Sequence, residues 1–133
     1  MRRMLLLATA ALALAACLRS REFRISGTIT IAAPVRPRAP RQNVVLFIVA
    51  KNKGGVPVAV RRIVNPRFPV WYSLTTEDMI IPGVDLRQGF LLQVQMNTHG
   101  HLGAQVKGDL EGSYSEPVYS GAKEIHIVID RQI

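Results

Sequence analysis

The sequence predicts an all-β sandwich or barrel of about seven strands, preceded by a lipoprotein signal. Three observations carry this expectation. Short runs rich in Val and Ile alternate with polar residues from Ile25 to the end of the chain. Gly, Pro and Asn clusters punctuate those runs at frequent intervals. No stretch after Cys17 sustains a helical period, and no internal repeat is visible.

The first residues have another character. Arg2 and Arg3 form a basic region, Met4 to Ala13 an apolar run, and Leu14-Ala15-Ala16-Cys17 sets small residues before the sole cysteine. That order predicts a secretory signal of the bacterial lipobox type, cut between Ala16 and Cys17. The thiol and the new amino group of Cys17 then carry acyl chains. The apolar run is short of the roughly 20 residues a spanning helix needs. One acyl chain holds a protein to a bilayer only marginally, whereas two or three hold it stably. Leu18, in place of an Asp after the cysteine, favours the outer over the inner membrane by analogy with bacterial lipoprotein sorting. The expected layout is a signal at 1–16, a lipidated tether at 17–24, and a folded domain at 25–133.

Along that domain, Ile25, Gly27, Ile29 and Ile31 alternate with Ser26, Thr28 and Thr30, predicting a strand with one buried face. Pro34, Pro37 and Pro40 interleave with Arg36, Arg38 and Arg41. Prolines cannot donate ladder bonds, so this reads as an extended surface loop: a basic contact arm, or a solvated connection. Val44 to Ala50 is almost wholly apolar, as a central strand buried on both faces must be. Asn52-Lys53-Gly54-Gly55 is a turn, Val56, Val58 and Val60 begin the return strand, and Asn65-Pro66 ends it. Phe68 to Leu74 carries Trp71 and Tyr72, which the alternating run assigns to the core. Glu77 to Gly83 is a short apolar segment closed by a turn.

Phe90 to Met96 points Leu92, Val94 and Met96 one way and Gln93 and Gln95 the other. His99-Gly100-His101 reads as a turn, and Gly103 to Gly112 as a glycine-spaced loop. Ile125, Ile127 and Ile129 form the last strand, with His126 on its outward face.

Composition limits function. The chain has 17 Lys+Arg against 9 Asp+Glu. Without Arg2 and Arg3 the balance is 15 against 9, or +6. The arginines are scattered and carry no interleaved aromatics, so nucleic acid is not the expected partner; an acidic protein or anionic lipid is. With one cysteine, no intramolecular disulfide forms. No serine sits in a nucleophile elbow, and the paired carboxylates are neighbours in turns, not groups facing each other across a cleft. The expectation is a non-enzymatic binding module with no cofactor and no small-molecule substrate. One metal reading exists: Met96, His99 and His101 are a donor set suited to copper, although a blue-copper centre also needs a free thiolate.

Further observations point to a family. Leu46-Phe47-Ile48-Val49-Ala50-Lys51 resembles a Leu-Phe-Val-Phe-Ala-Arg phrase, and Gly55 to Arg61 resembles Gly-x-Pro-x-Pro-Leu-Ala-Val. Ser73-Leu74-Thr75, Asp78 to Pro82, Gly108-Asp109-Leu110-Glu111-Gly112 and Ile127 to Asp130 follow in the same order. Together these resemble the C-terminal periplasmic domain of the c-type cytochrome biogenesis protein that carries tetratricopeptide repeats, in the haem-lyase system. The resemblance spans Ile25 to Asp130 and implies an immunoglobulin-like antiparallel sandwich. It implies a periplasmic or cell-surface assembly role, with the cytochrome assembly machinery or a multihaem cytochrome as partner. There is no Cys-x-x-Cys-His, so the chain attaches no c-type haem itself. At Gln95 to Gly100 it departs from the family's Ala-Arg-x-Ser-x-x-Gly phrase. Candidate contact residues are Arg36, Arg38, Arg41, Lys51, Lys53, Arg61 and Arg62. Asp109 either caps its own loop or joins a partner surface. The alternatives are a copper-binding lipoprotein and a structural envelope lipoprotein.

Overall fold

The computed structural model describes residues 22–133. Ala16 and Cys17, with the signal and most of the tether, lie outside the described residues. Eight strands form two sheets. They are β1 (Arg24–Ile31), β2 (Val45–Lys51), β3 (Pro57–Val64), β4 (Val70–Thr75), β5 (Leu91–Asn97), β6 (Leu110–Ser113), β7 (Ile125–Ile129) and β8 (Arg131–Gln132). The small sheet has the order β4-β1-β7 and the large sheet β3-β2-β5-β6-β8. All pairs are antiparallel except β1 with β7, which is parallel. The all-β sandwich expectation stands, with that one parallel pair as a departure.

β1 and β4 bury one set of alternate residues. In β1, Ile25, Gly27, Ile29 and Ile31 face inward, as expected. Leu46, Ile48 and Ala50 of β2 and Leu92, Val94 and Met96 of β5 meet them from the large sheet, in one core with Tyr72, Leu74, Ile127 and Ile129. On the other face of β2, Phe47 and Val49 are also buried, so the strand is covered on both sides. Phe23 is 1% exposed and meets Phe90 edge-on, with ring centroids 5.1 Å apart. The buried Phe23 ring thus anchors the entry to β1.

Three expectations need correction. Trp71 is 80% exposed. Val70, Tyr72 and Leu74 occupy the inward positions of β4, and strict alternation turns Trp71 out. The proline-arginine loop is not extended throughout: the Val35 and Arg36 amides both donate to the Ala32 carbonyl, and Arg36–Arg38 forms a 3-10 turn over the buried Val35. Part of the expected loop at 103–112 is β6, which pairs with β5. The last strand stands at Ile125–Ile129 as expected, but the chain then divides its pairing between the sheets: β7 pairs with β1, and the short β8 beyond it pairs with β6.

That division brings backbones very close. A Cβ on Gly27 would lie 1.9 Å from the Ile125 carbonyl oxygen, and one on Gly112 would lie 2.0 Å from that of Val128. The Tyr72 hydroxyl, packed in the same place, donates to the Ile125 carbonyl at 2.9 Å. Burial, with Tyr114 as a lesser cause, pushes its pKa above the ordinary phenol value.

Two predictions follow from this contact. Gly27→Ala forces β7 off β1 and should cost at least about 1–3 kcal/mol. The exposed turn change Gly54→Ala should stay within about 0.5 kcal/mol. Urea unfolding of both variants checks this, and equal effects would contradict it. The second concerns pH. The folded chain keeps the Tyr72 proton that the unfolded chain releases above about pH 10. This contribution is complete below that pH and is lost as pH rises beyond it. Tyr72→Phe should therefore lose stability less steeply above pH 10 than the parent chain; identical slopes would exclude Tyr72 as the cause.

Candidate functional site

The strand registers sort the connections to two poles. Glu22, the β2–β3 turn, the β4–β5 segment and residues 114–124 lie at one, which we term the entry pole. The β1–β2, β3–β4 and β5–β6 connections and residues 130–133 lie at the other, the distal pole. The candidate contact residues do not form one surface. Arg36, Arg38 and Arg41 are exposed at the distal pole. An Arg36 Nη2 donates to the Ile31 carbonyl at 3.3 Å and an Arg38 Nη1 to Gln132 Oε1 at 3.1 Å. Lys51 and Lys53 sit at the entry pole. Arg61 stitches the sheets together, donating to the Ser73 carbonyl at 3.2 Å and pairing with Asp78 at 3.6 Å. Arg62 lies on the outer face of β3, opposite Phe47.

Sequence reasoning missed Arg67. It stands in the β3–β4 loop as Pro66-Arg67-Phe68-Pro69, the same Pro/Arg alternation that marks the β1–β2 loop, and that was the available signal. Arg41 and Arg67 together rim a cleft of about 440 Å³ between the two loops. Pro40, Val44, Pro66, Phe68 and Met96 line it. The Asn65 amide donates to the Val44 carbonyl at 2.7 Å, and the Val44 amide to Asn65 Oδ1 at 3.1 Å, so the loop bases are tied together. Among the described residues, the ion pairs engage Arg61, Arg87, Arg131 and His99 and leave Arg41 and Arg67 without one.

The β5–β6 loop folds back over the outer face of the large sheet. Its centre is Asp109, only 5% exposed. One carboxylate oxygen accepts from the His99 ring at 2.8 Å, the Val106 amide at 3.0 Å and Gln95 Nε2 at 3.5 Å. Buried Asn97 accepts from the Gly100 amide and donates to the His101 carbonyl. Asp109 therefore caps its own loop and presents no carboxylate to a partner. Gly108 has φ +102°, the left-handed turn geometry expected of it, but Gly112 lies inside β6 and is small because Val128 leaves no room.

The structure does not bring the copper donor set together. Met96 points into the core between the sheets at 2% exposure, while His99 and His101 lie on the loop outside the large sheet. The ring nitrogens of His99 are engaged, Nε2 by Asp109 and Nδ1 by the His101 amide at 3.2 Å. Among the described residues no cluster of three His, Cys, Asp or Glu side chains could hold a metal ion.

The outer face of the small sheet carries a cross-strand row of Trp71, Thr28 and His126. His126 is exposed but not purely solvated: Nδ1 meets Thr28 Oγ1 at 2.8 Å and Nε2 meets Thr30 Oγ1 at 3.2 Å. At the entry pole the Asp85 pKa is lowered, first by the hydrogen bond from the Arg87 amide and then by that from its side chain. This is a local turn on the surface.

The family model of the cytochrome c-type biogenesis protein H Ig-like domain matches residues 25–130. The chain belongs to this family. The match covers all seven strands that build the core of the sandwich, and the phrases that carry the family likeness now have structural roles. Leu46 to Ala50 is the doubly buried β2, and Gly108 to Gly112 holds the loop cap and the close contact with β7. Membership gives the chain a role related to c-type cytochrome biogenesis. Searches of curated proteins and of solved structures returned no match. Among the described residues, no helix is long and apolar enough to cross a membrane.

Asp109→Ala leaves the Val106 amide and the His99 ring without their acceptor. It should cost about 1–3 kcal/mol and speed hydrogen exchange at Val106 and Gly103 more than at β1 amides. Uniform acceleration across the domain would contradict a local cap.

Proposed function

We propose that the chain is a lipid-tethered assembly module of c-type cytochrome biogenesis. It binds a protein partner through its distal pole and catalyses no reaction. The family match over residues 25–130 carries this reading. The lipobox supports the tether. Only four residues lie between Cys17 and Glu22, five steps along the chain. At about 3.3–3.6 Å per residue they hold the entry pole within roughly 18 Å of the acyl chains. The distal pole, with Arg36, Arg38, Arg41 and Arg67, then points away from the bilayer. An arginine surface so oriented serves a protein in the periplasm or at the cell surface better than it serves lipid. The partner is a component of the cytochrome assembly machinery or a multihaem cytochrome, and the outer membrane is the proposed home. Acyl anchoring predicts that Cys17→Ala releases the protein from membranes. Crosslinked pull-down from native membranes, read by mass spectrometry, should enrich haem-lyase components or multihaem cytochromes. Enrichment of general envelope proteins alone would make the chain a structural lipoprotein and sink the assembly reading.

A further inference from the structure

The distal cleft combines an apolar floor with two arginines that have no ion pair among the described residues. We infer that it docks an acidic peptide segment of a protein partner, with one apolar side chain of that segment between Pro40, Pro66 and Phe68 and flanking carboxylates on Arg41 and Arg67. This names the partner chemistry of the proposed function and rests on that reading for the identity of the protein.

Shape, stiffness and charge argue for it. A volume of about 440 Å³ is ample for one large side chain. A second concavity, lined by Ala33, Arg36 and Pro37, shares Ala39, Pro40 and Arg41 with the first. The two form a path along the loop, which suits an extended chain more than a compact small molecule. The walls are preorganised: proline fixes φ, and the Val44–Asn65 hydrogen bonds lock the loop bases, so little ordering entropy is lost on binding. A guanidinium presents a planar fork that matches a carboxylate in two parallel hydrogen bonds. The charge around the cleft has one sign. Arg36, Arg38, Arg41 and Arg67 are exposed there, and the nearby exposed acid, Asp130, already pairs with Arg131. An anionic lipid surface would meet the arginines but has no use for the apolar slot.

The test uses the full lipidated chain in neutral detergent micelles and a fluorescent 12-residue peptide with Asp and Glu flanking a central Phe, read by anisotropy. Binding should be salt-sensitive, because exposed charges are screened beyond about 8 Å at physiological ionic strength. Arg41→Glu with Arg67→Glu should weaken it roughly tenfold or more. Replacing the peptide's Phe with Ser should weaken it by a similar factor, and Lys51→Glu with Lys53→Glu at the entry pole should leave it unchanged. Both arginines are exposed, so the variant should unfold at the parent's temperature, which circular dichroism checks. No binding would overturn the inference. So would equal losses in the two double variants, or binding that ignores Phe and is displaced by phosphatidylglycerol vesicles. A peptide that binds while the pull-down finds no cytochrome assembly protein would retire the proposed function and keep the cleft. The reverse result would retire the cleft alone.

Discussion

The fold depends on β7 touching both sheets at backbone distance. It lies parallel against β1 where Gly27 leaves room for the Ile125 carbonyl, and against β6 where Gly112 leaves room for that of Val128. The Asp130 amide then donates to the Glu111 carbonyl, and the chain continues as β8 in the large sheet. A side chain at either glycine would push β7 away from its neighbour. On the opposite side Arg61 reaches from β3 to the Ser73 carbonyl and Asp78, and the backbone of β3 bridges the segment after β4, with Ala59 opposite Met79 and the Ile80 amide donating to the Val58 carbonyl at 2.9 Å. The sandwich is thus closed by backbone contact along both edges, with a long side chain added along the second.

This closure sorts the loops. Because β1 and β7 run in parallel, the chain enters at the pole opposite to the one where β7 ends. The proline-arginine loop, the Pro66-Arg67-Phe68 loop and the end of β7 all collect at the distal pole. The outer face of the large sheet is already occupied by the β5–β6 loop, held by Asp109, Asn97 and Gln95. Buried polar groups of this kind are tolerable only when their bonds are complete, and here the three side chains satisfy the loop's amides and one another. The distal pole and the Trp71 face are left open. Only the first combines an apolar recess with charge of one sign.

Much of this was legible in the sequence. Alternation in Ile25 to Ile31 and Leu92 to Met96 identified the inward faces, and the unbroken apolar run at Val44 to Ala50 identified the strand covered on both sides. The family likeness was legible in short phrases whose residues turn out to hold turns and close contacts. Long-range geometry was not. Trp71 reads as core by residue type, yet its phase in β4 turns it outward, and phase is visible only once Tyr72 and Leu74 are known to face the core. Met96, His99 and His101 are close in sequence but lie on opposite faces of the large sheet. Arg67 belongs with Arg41 because Val44 and Asn65 bond across 21 residues, a pairing that local pattern does not encode. β8, two residues long, carries no periodicity at all.

The central claim is that the pole opposite the chain entry meets the partner. Photo-crosslinking in native membranes tests it most directly, with the reactive group placed in turn at Arg67, at Lys53 and at Trp71. The account predicts a discrete adduct with a cytochrome assembly protein or multihaem cytochrome from position 67, and none from position 53 or 71. Adducts from 53 or 71, with none from 67, would contradict it.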